Sequence, residues 1–322
     1  MKAVRITHTG APDVMKLVEI DEPMPEAGEA LVQVKAAGVN YIDVYYRDGR
    51  YRADLPLTLG AEGAGIIKKL GRNVKNFRVG DAVAWCMYLG AYAEYAVIPE
   101  RHLVHLPDGL GMEVAAGALL QGMTAQYLTR STYPLKAGET ALVHAAAGGV
   151  GLLLTQMATQ LGARVIATVS TEAKAVLAQE AGARDVILYS EQDFEVEVKR
   201  LTEGRGVDVV YDSVGKTTFE KSLNCLRARG MMALYGSSSG SVPAVEPSHL
   251  ALLGSLYLTR PSLAHYTVTR EELDGRSGEV YAAIQQGTLK LRLERSYPLS
   301  DAAHAHEELE SRKTTGKGLL IP

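Results

Sequence analysis

Residues 141–170, ALVHAAAGGVGLLLTQMATQLGARVIATVS, decide how this chain is read. Residues 141–144 form a short apolar strand, and residues 145–149 a turn with almost no side chain. Val150, Leu154, Met157, Ala158 and Leu161 recur at helical spacing, Gly162 stops the helix, and residues 165–169 make a second apolar strand. This is a βαβ unit. Its tight turn lets the backbone around Gly148, Gly149, Val150 and Gly151 and a helix N-terminus face a pyrophosphate. The pattern Ala146-x-Gly148-x-x-Gly151 carries alanine where a first glycine is usual. Its place between a strand and a helix is what gives so short a motif weight.

The end of the second strand selects the dinucleotide. A carboxylate there accepts from a ribose 2′-OH, whereas a cation suits a 2′-phosphate. This chain has Ser170 and Thr171, then Glu172 and Lys174. The hydroxyls followed by Lys174 favour NADPH over NADH, with Glu172 the alternative partner for a ribose hydroxyl.

Composition excludes several classes. The 322 residues carry a net charge of −3, which implies no basic field for nucleic acid or an anionic membrane. Cys86 and Cys225 are the only cysteines and cannot form a CxxC motif or a disulfide scaffold. No apolar run approaches the ~20 residues of a membrane span, and the first twenty residues alternate like a strand without a signal-peptide core. The expectation is a soluble cytoplasmic protein.

Outward from the βαβ unit, residues 1–122 read as β-rich. Runs such as 30–35, 65–70 and 81–85 are separated by turn clusters at 23–28 and 71–73. Further apolar strands at 186–189, 208–212, 231–235 and 255–258 alternate with helical patterns, so residues 123–260 predict a doubly wound sheet of six strands. Residues 261–322 hold a helix near 271–286, a helix starting at Ser300 and Asp301, and a strand-like end at 318–322. These pieces are expected to complete the first domain. The fold class is α/β, a β-rich domain plus a doubly wound one.

The ordered motifs carry a resemblance. LGAEGAG at 59–65, VGDAV at 79–83, LPDG at 106–109 and QGMTA at 121–125 resemble the medium-chain dehydrogenase/reductase superfamily, with a GroES-like first domain and a Rossmann second domain. GVNYIDVY at 38–45, HAAAGGVG at 144–151, VYDSVG at 210–215 and LYLTRPS at 256–262 are similar to its zeta-crystallin-type NADPH:quinone oxidoreductases. In the zinc-dependent branch a histidine ligand falls where this chain has Ala61, and a cysteine ligand where it has Asn40. The pairs His102 with His105 and His304 with His306 read as surface or packing residues, so no metal is expected. Without a Lewis acid the acceptor must itself be electrophilic. The resemblance therefore implies hydride transfer to a quinone, with an enoyl or alkenal reductase as the alternative and an RNA-binding or crystallin-like role less favoured.

The same resemblance implies roles. Asn40, Tyr45 and Tyr51 in a tyrosine-rich loop, with Arg260 from the second domain, would donate hydrogen bonds to the reduced acceptor. Asn40, Gln121 and Thr124 would face the nicotinamide and its ribose. Ser170, Lys174, Tyr189 (ending the third strand) and Arg312 would cradle the 2′-phosphate, although Arg312 also reads as the i+4 partner of Glu308 on the last helix. Ser213, Gly236 and Ser237 would lie at the carboxyl edge of the sheet. The edge strand 255–258 implies a two-fold homodimer.

Overall fold

The computed structural model describes residues 1–322. In chain order it begins β1 (Lys2–Ile6), β2 (Lys16–Glu19), β3 (Glu29–Gly38), α1 (Tyr41–Arg47), β4 (Leu57–Thr58), β5 (Glu62–Leu70), β6 (Ala82–Cys86), β7 (Tyr95–Pro99) and β8 (Leu103–His105). It continues α2 (Met112–Tyr127), β9 (Thr140–Val143), α3 (Gly149–Gln160), β10 (Arg164–Val169), α4 (Glu172–Glu180), β11 (Asp185–Leu188), α5 (Phe194–Leu201) and β12 (Val207–Asp212). Then follow α6 (Phe219–Asn224), β13 (Leu226–Leu234), α7 (Pro247–Leu252), β14 (Tyr257–Thr259), α8 (Arg270–Gln285), β15 (Leu293–Pro298), α9 (Ala302–Glu310) and β16 (Lys317–Ile321). Two compact units result: Met1–Met123 with Thr267–Pro322, and Thr124–Tyr266.

The first unit is built on antiparallel strands, apart from the parallel pair β15 and β16 at one edge. A three-stranded sheet has the order β2-β1-β4, and a seven-stranded sheet runs β15-β16-β3-β5-β6-β8 with β7 also pairing β3. Inward positions of these strands, among them Val4, Val32, Ile67 and Trp85, meet in one core. The C-terminal strand joins that sheet through Leu319 opposite Gly38 and Leu320 opposite Ala37. That register brings Lys317 close to residues nearly three hundred positions earlier.

The second unit is a six-stranded sheet of order β11-β10-β9-β12-β13-β14, every neighbouring pair parallel. Parallel strands buried on both faces explain why the sequence runs are apolar throughout rather than alternating. The order reverses on either side of β9, and ligands bind at such a switch point, outside the carboxyl ends of the strands. His144, just past β9, is buried and bonds Thr168 Oγ1 and Ser222 Oγ, both at 2.9 Å, which ties that end to β10 and α6.

Three expectations need correction. The tyrosine-rich loop is a helix, α1, begun by Asn40 with the Asp43 carboxylate accepting the Asn40 N–H at 2.9 Å. Arg312 is not on the last helix, which stops at Glu310; it sits in the following turn with φ 59°. Glu308 bonds Arg295 Nη1 at 2.6 Å and the Tyr297 hydroxyl. Tyr189 stands one residue beyond β11 rather than ending it.

Candidate active site

In the second unit the nucleotide edge is made almost wholly of backbone. Gly148 precedes α3 in extended conformation, and its N–H donates to Ala145 O at 2.9 Å. Ala145 takes the left-handed turn (φ 51°). A Cβ on Gly151 would lie 2.3 Å from Ala145 O and 2.7 Å from Ala146 Cα, so only glycine lets the helix press this close to the turn. The first N–H groups of α3, from Gly149 onward, have no carbonyl a turn earlier in the helix and point outward as an anion site.

Around that turn, Asp212 holds the loop after β12. Its Oδ1 accepts from Val214 N (2.6 Å) and Gly215 N (3.1 Å), and its Oδ2 from Thr218 Oγ1 (2.7 Å). This fixes Ser213, whose carbonyl accepts the Ser238 N–H at 3.1 Å beside Gly236 and Ser237. At the end of β10, Thr171 caps α4 by accepting the Lys174 N–H at 3.3 Å. Lys174 is half-buried in the first turn of that helix, and burial lowers its pKa. Glu172 and Tyr189 are exposed, and Ser190 Oγ donates to Ser170 O at 3.0 Å. Arg260, one residue beyond β14, is exposed and makes no hydrogen bond or ion pair.

In the first unit, charge is buried instead. Glu62 and Lys317 are fully buried and paired at 2.6 Å. Lys317 Nζ also donates to Asn40 Oδ1 at 2.6 Å, and Asn40 Nδ2 donates to Glu62 Oε2 at 2.9 Å and to Gly38 O at 3.2 Å. The other Glu62 oxygen accepts the Leu120 N–H at 2.7 Å. A Cβ on Gly38 would fall 2.3 Å from Glu62 Oε2 and 2.8 Å from Lys317 Cε, so glycine makes room for the pair. Asn40 therefore departs from the expected role: both amide N–H groups are spent inside the protein, and Oδ1 keeps only accepting capacity.

A second chain of contacts adjoins it. Buried Asp43 accepts from Asn40 N, from Ala61 N at 2.8 Å and from the Tyr92 hydroxyl at 3.1 Å. Tyr92 meets His306 Nε2 at 3.1 Å, His306 Nδ1 meets Arg47 Nη1 at 3.2 Å, and Arg47 forks onto Glu310 at 2.7 and 2.9 Å. Burial raises Asp43 to about 7 against the pull of its donors. Burial, then the Arg47 charge, lowers His306 to about 3.

The remaining candidates fall as follows. Tyr45 is buried, with Arg50 4.3 Å above its ring, and Tyr51 packs edge-on against it at 5.3 Å. Tyr51 is 39% exposed and its hydroxyl makes no hydrogen bond within the protein. Gln121 is buried with Oε1 unpartnered, and Thr124 is buried. His306 packs inside while His304 lies on the surface near Glu307 and Glu308. The sequence reading passed over Asp43, Glu62 and Lys317. Asn40 followed three residues later by Asp43 is a cap signature and marks the helix, and Glu62 lies inside the quoted 59–65 motif. Nothing local marks Lys317.

The side-chain-free turn at the N-terminus of α3 fits the pyrophosphate of a dinucleotide, and, within its own unit, Gln121 keeps a buried acceptor without a donor. Fold and turn together define a medium-chain dehydrogenase/reductase. The alcohol dehydrogenase GroES-like domain matches residues 26–108 and the zinc-binding dehydrogenase domain residues 149–274. Quinone oxidoreductase of Pseudomonas aeruginosa is 45% identical over 100% of this chain and 99% of its own. The crystal structure of Escherichia coli quinone oxidoreductase complexed with NADPH superposes with a TM-score of 0.98 at 45% identity, covering 100% of both chains. A Burkholderia 2-haloacrylate reductase is 40% identical over 99% of this chain and 98% of its own. The chain belongs to the quinone oxidoreductase family of that superfamily.

Proposed function

We propose that this protein is an NADPH-dependent quinone reductase that transfers two electrons as a hydride to a small quinone. When bound, NADPH supplies that hydride. The Thr124–Tyr266 unit is the NADP-binding domain and the other unit the catalytic one. Backbone N–H groups of Gly149, Val150 and Gly151 hold the pyrophosphate, with Gly148, whose own N–H is spent on Ala145 O, shaping the turn. Ser170, Lys174 and Tyr189 take the 2′-phosphate, and Ser213, Gly236 and Ser237 line the carboxyl edge. Gln121 Oε1 accepts from a carboxamide N–H, with Thr124 and the accepting face of Asn40 beside it.

The observation that carries the reaction class is Ala61 next to an Asn40 whose two amide N–H groups are spent on Glu62 and Gly38 and whose oxygen accepts from Lys317. The positions that bind zinc in the zinc-dependent branch offer it no ligand set here. The acceptor must then be electrophilic unaided, as a quinone is. Tyr51 has an unspent donor for the developing phenolate, while Tyr45 supplies a packing surface. The last proton comes from water or a tyrosine.

NADPH oxidation measured against 1,4-benzoquinone and 2-alkenals tests this reading. Turnover of quinones supports it; turnover of alkenals alone replaces it with the second reading, activated-alkene reduction, which the likeness to 2-haloacrylate reductase favours. β14 is the sheet edge, with Tyr257 58% and nearby Leu252 84% exposed, and pairs with its copy in a C2 homodimer. A monomer by sedimentation at micromolar concentration contradicts that assembly. No helix is long and apolar enough to cross a membrane, and the protein acts in the cytoplasm on small molecules rather than nucleic acid.

A further inference from the structure

Glu62 and Lys317 are paired with no exposure at all. Taking both charges out of water costs more than a well-packed apolar pair would, so a buried ion pair is poor evidence of a stability device. Its geometry gives it another use. The pair joins four segments far apart in sequence: Lys317 on β16, Glu62 on β5, Asn40 at the start of α1 and Leu120 within α2. The ammonium can only donate and the carboxylate only accept, so the Asn40 amide has one orientation, oxygen toward Lys317 and nitrogen toward Glu62. Asp43 fixes the Asn40 backbone at the same time. The other Glu62 oxygen grips the N–H of Leu120, immediately before Gln121 with its buried, unpartnered Oε1.

We infer that Glu62 and Lys317 are positioning residues for hydride transfer, fixing the Asn40 amide and the Leu120–Gln121 segment against the nicotinamide. The inference rests on the proposed cofactor roles of Asn40 and Gln121. It extends them to two residues that touch neither cofactor nor quinone. The pair acts through orientation, so its removal changes the hydride step more than it changes folding or NADPH affinity.

The test compares wild type with Lys317→Met and with the double variant Glu62→Gln/Lys317→Met, which leaves no lone buried charge. Thermal melting, NADPH affinity by fluorescence titration, and single-turnover NADPH oxidation at saturating benzoquinone are measured, with 4-deuterated NADPH as isotopic probe. Lys317→Met is expected to melt well below wild type. The double variant is expected to melt near wild type and bind NADPH within about threefold. Its hydride step slows about 10- to 100-fold, the range that small misplacements cost, and its deuterium effect on kcat grows. A hydride rate within about twofold of wild type overturns the inference. So does a double variant that loses folding and activity in parallel, which makes the pair purely structural. Failure of the wild type to oxidise NADPH with any quinone sinks the functional reading instead, and is seen before any variant is made.

Discussion

The nucleotide edge of the Thr124–Tyr266 unit is built from backbone, whereas the centre around Asn40 in the other unit is built from side chains. At the edge, glycine and alanine clear a turn, α3 supplies unpaired N–H groups, and the charged residues Glu172 and Arg260 are solvent-exposed with Lys174 half-buried. At the centre, Asp43, Glu62, Lys317, Arg47 and His306 are all buried and bonded to one another's neighbours. A backbone site tolerates most side-chain changes nearby but not a Cβ in the wrong place. A side-chain network has the opposite weakness, because each deletion strands several partners in a medium that cannot solvate them.

The contrast is broken most directly at Asp43. Asp43→Ala strands the N–H groups of Asn40 and Ala61 and the Tyr92 hydroxyl, at roughly 1–3 kcal/mol for each buried group left unmade. Urea denaturation is expected to show a loss of about 3 kcal/mol or more. A loss near zero would mean that water or a neighbour takes over all three donors, and the network would lose its claim to rigidity.

The pH dependence sharpens it. Asp43 is raised to about 7 in the folded protein, so the folded state binds the extra proton and stability falls as pH rises from about 4 toward 7. His306 is lowered to about 3, so the unfolded state binds the extra proton and stability falls as pH drops from about 6.5. The two slopes oppose each other across most of that window, each bounded by about 1.4 kcal/mol per pH unit. Thermal melts of wild type from pH 4.5 to 6.5 are expected to vary little on account of these groups. Asp43→Asn leaves a protein that loses stability on acidification, and His306→Gln one that loses it on going alkaline. Both variants sloping the same way would refute the pairing.

At the nucleotide edge the effects are smaller and confined to binding. If Lys174 meets the 2′-phosphate as proposed, Lys174→Ala removes a charge-assisted contact worth roughly 1.5–3 kcal/mol. NADPH affinity by titration is expected to fall about 10- to 100-fold, with NADH almost unchanged and the melting curve unmoved. Equal losses for both cofactors would reassign Lys174. Smallest is Tyr51→Phe, which deletes a hydroxyl bonded to nothing in the protein: kcat with benzoquinone should drop by about 1–2 kcal/mol in barrier, near the net worth of one hydrogen bond. If only Tyr51→Ala has an effect, and on KM, the ring rather than the hydroxyl does the work.

What could be read from sequence divides along the same line. Strand β9, the turn, α3 and β10 fall where the 141–170 stretch places them, because glycine spacing and apolar periodicity are local signals. The six parallel strands followed from apolar runs alternating with helices. Helix α1 was obscured by tyrosines at 41, 45, 46 and 51, which suit a β-rich segment equally well, although the Asn40–Asp43 spacing announced a cap. The pair Glu62 and Lys317 was illegible in principle: its members stand 255 residues apart, and only the register of β16 against β3 joins them. Arg312 looked like a helix-face partner because nothing in its neighbourhood says that α9 ends at Glu310.

The chain from Asp43 to Glu310 has one further property, its direction. An arginine has no lone pair to offer, so Arg47 must give a hydrogen to His306 Nδ1. The neutral ring then carries its own hydrogen on Nε2 and gives it to the Tyr92 oxygen. Tyr92 is left with a single hydrogen and a single remaining neighbour, the Asp43 carboxylate. One guanidinium thus sets the tautomer of an imidazole, the rotor of a phenol and the sense of every dipole from the surface of the unit to its centre. The wire cannot be reversed while Arg47 stands at its head, and Arg47→Gln, whose amide can turn over, is the substitution that would let it run either way.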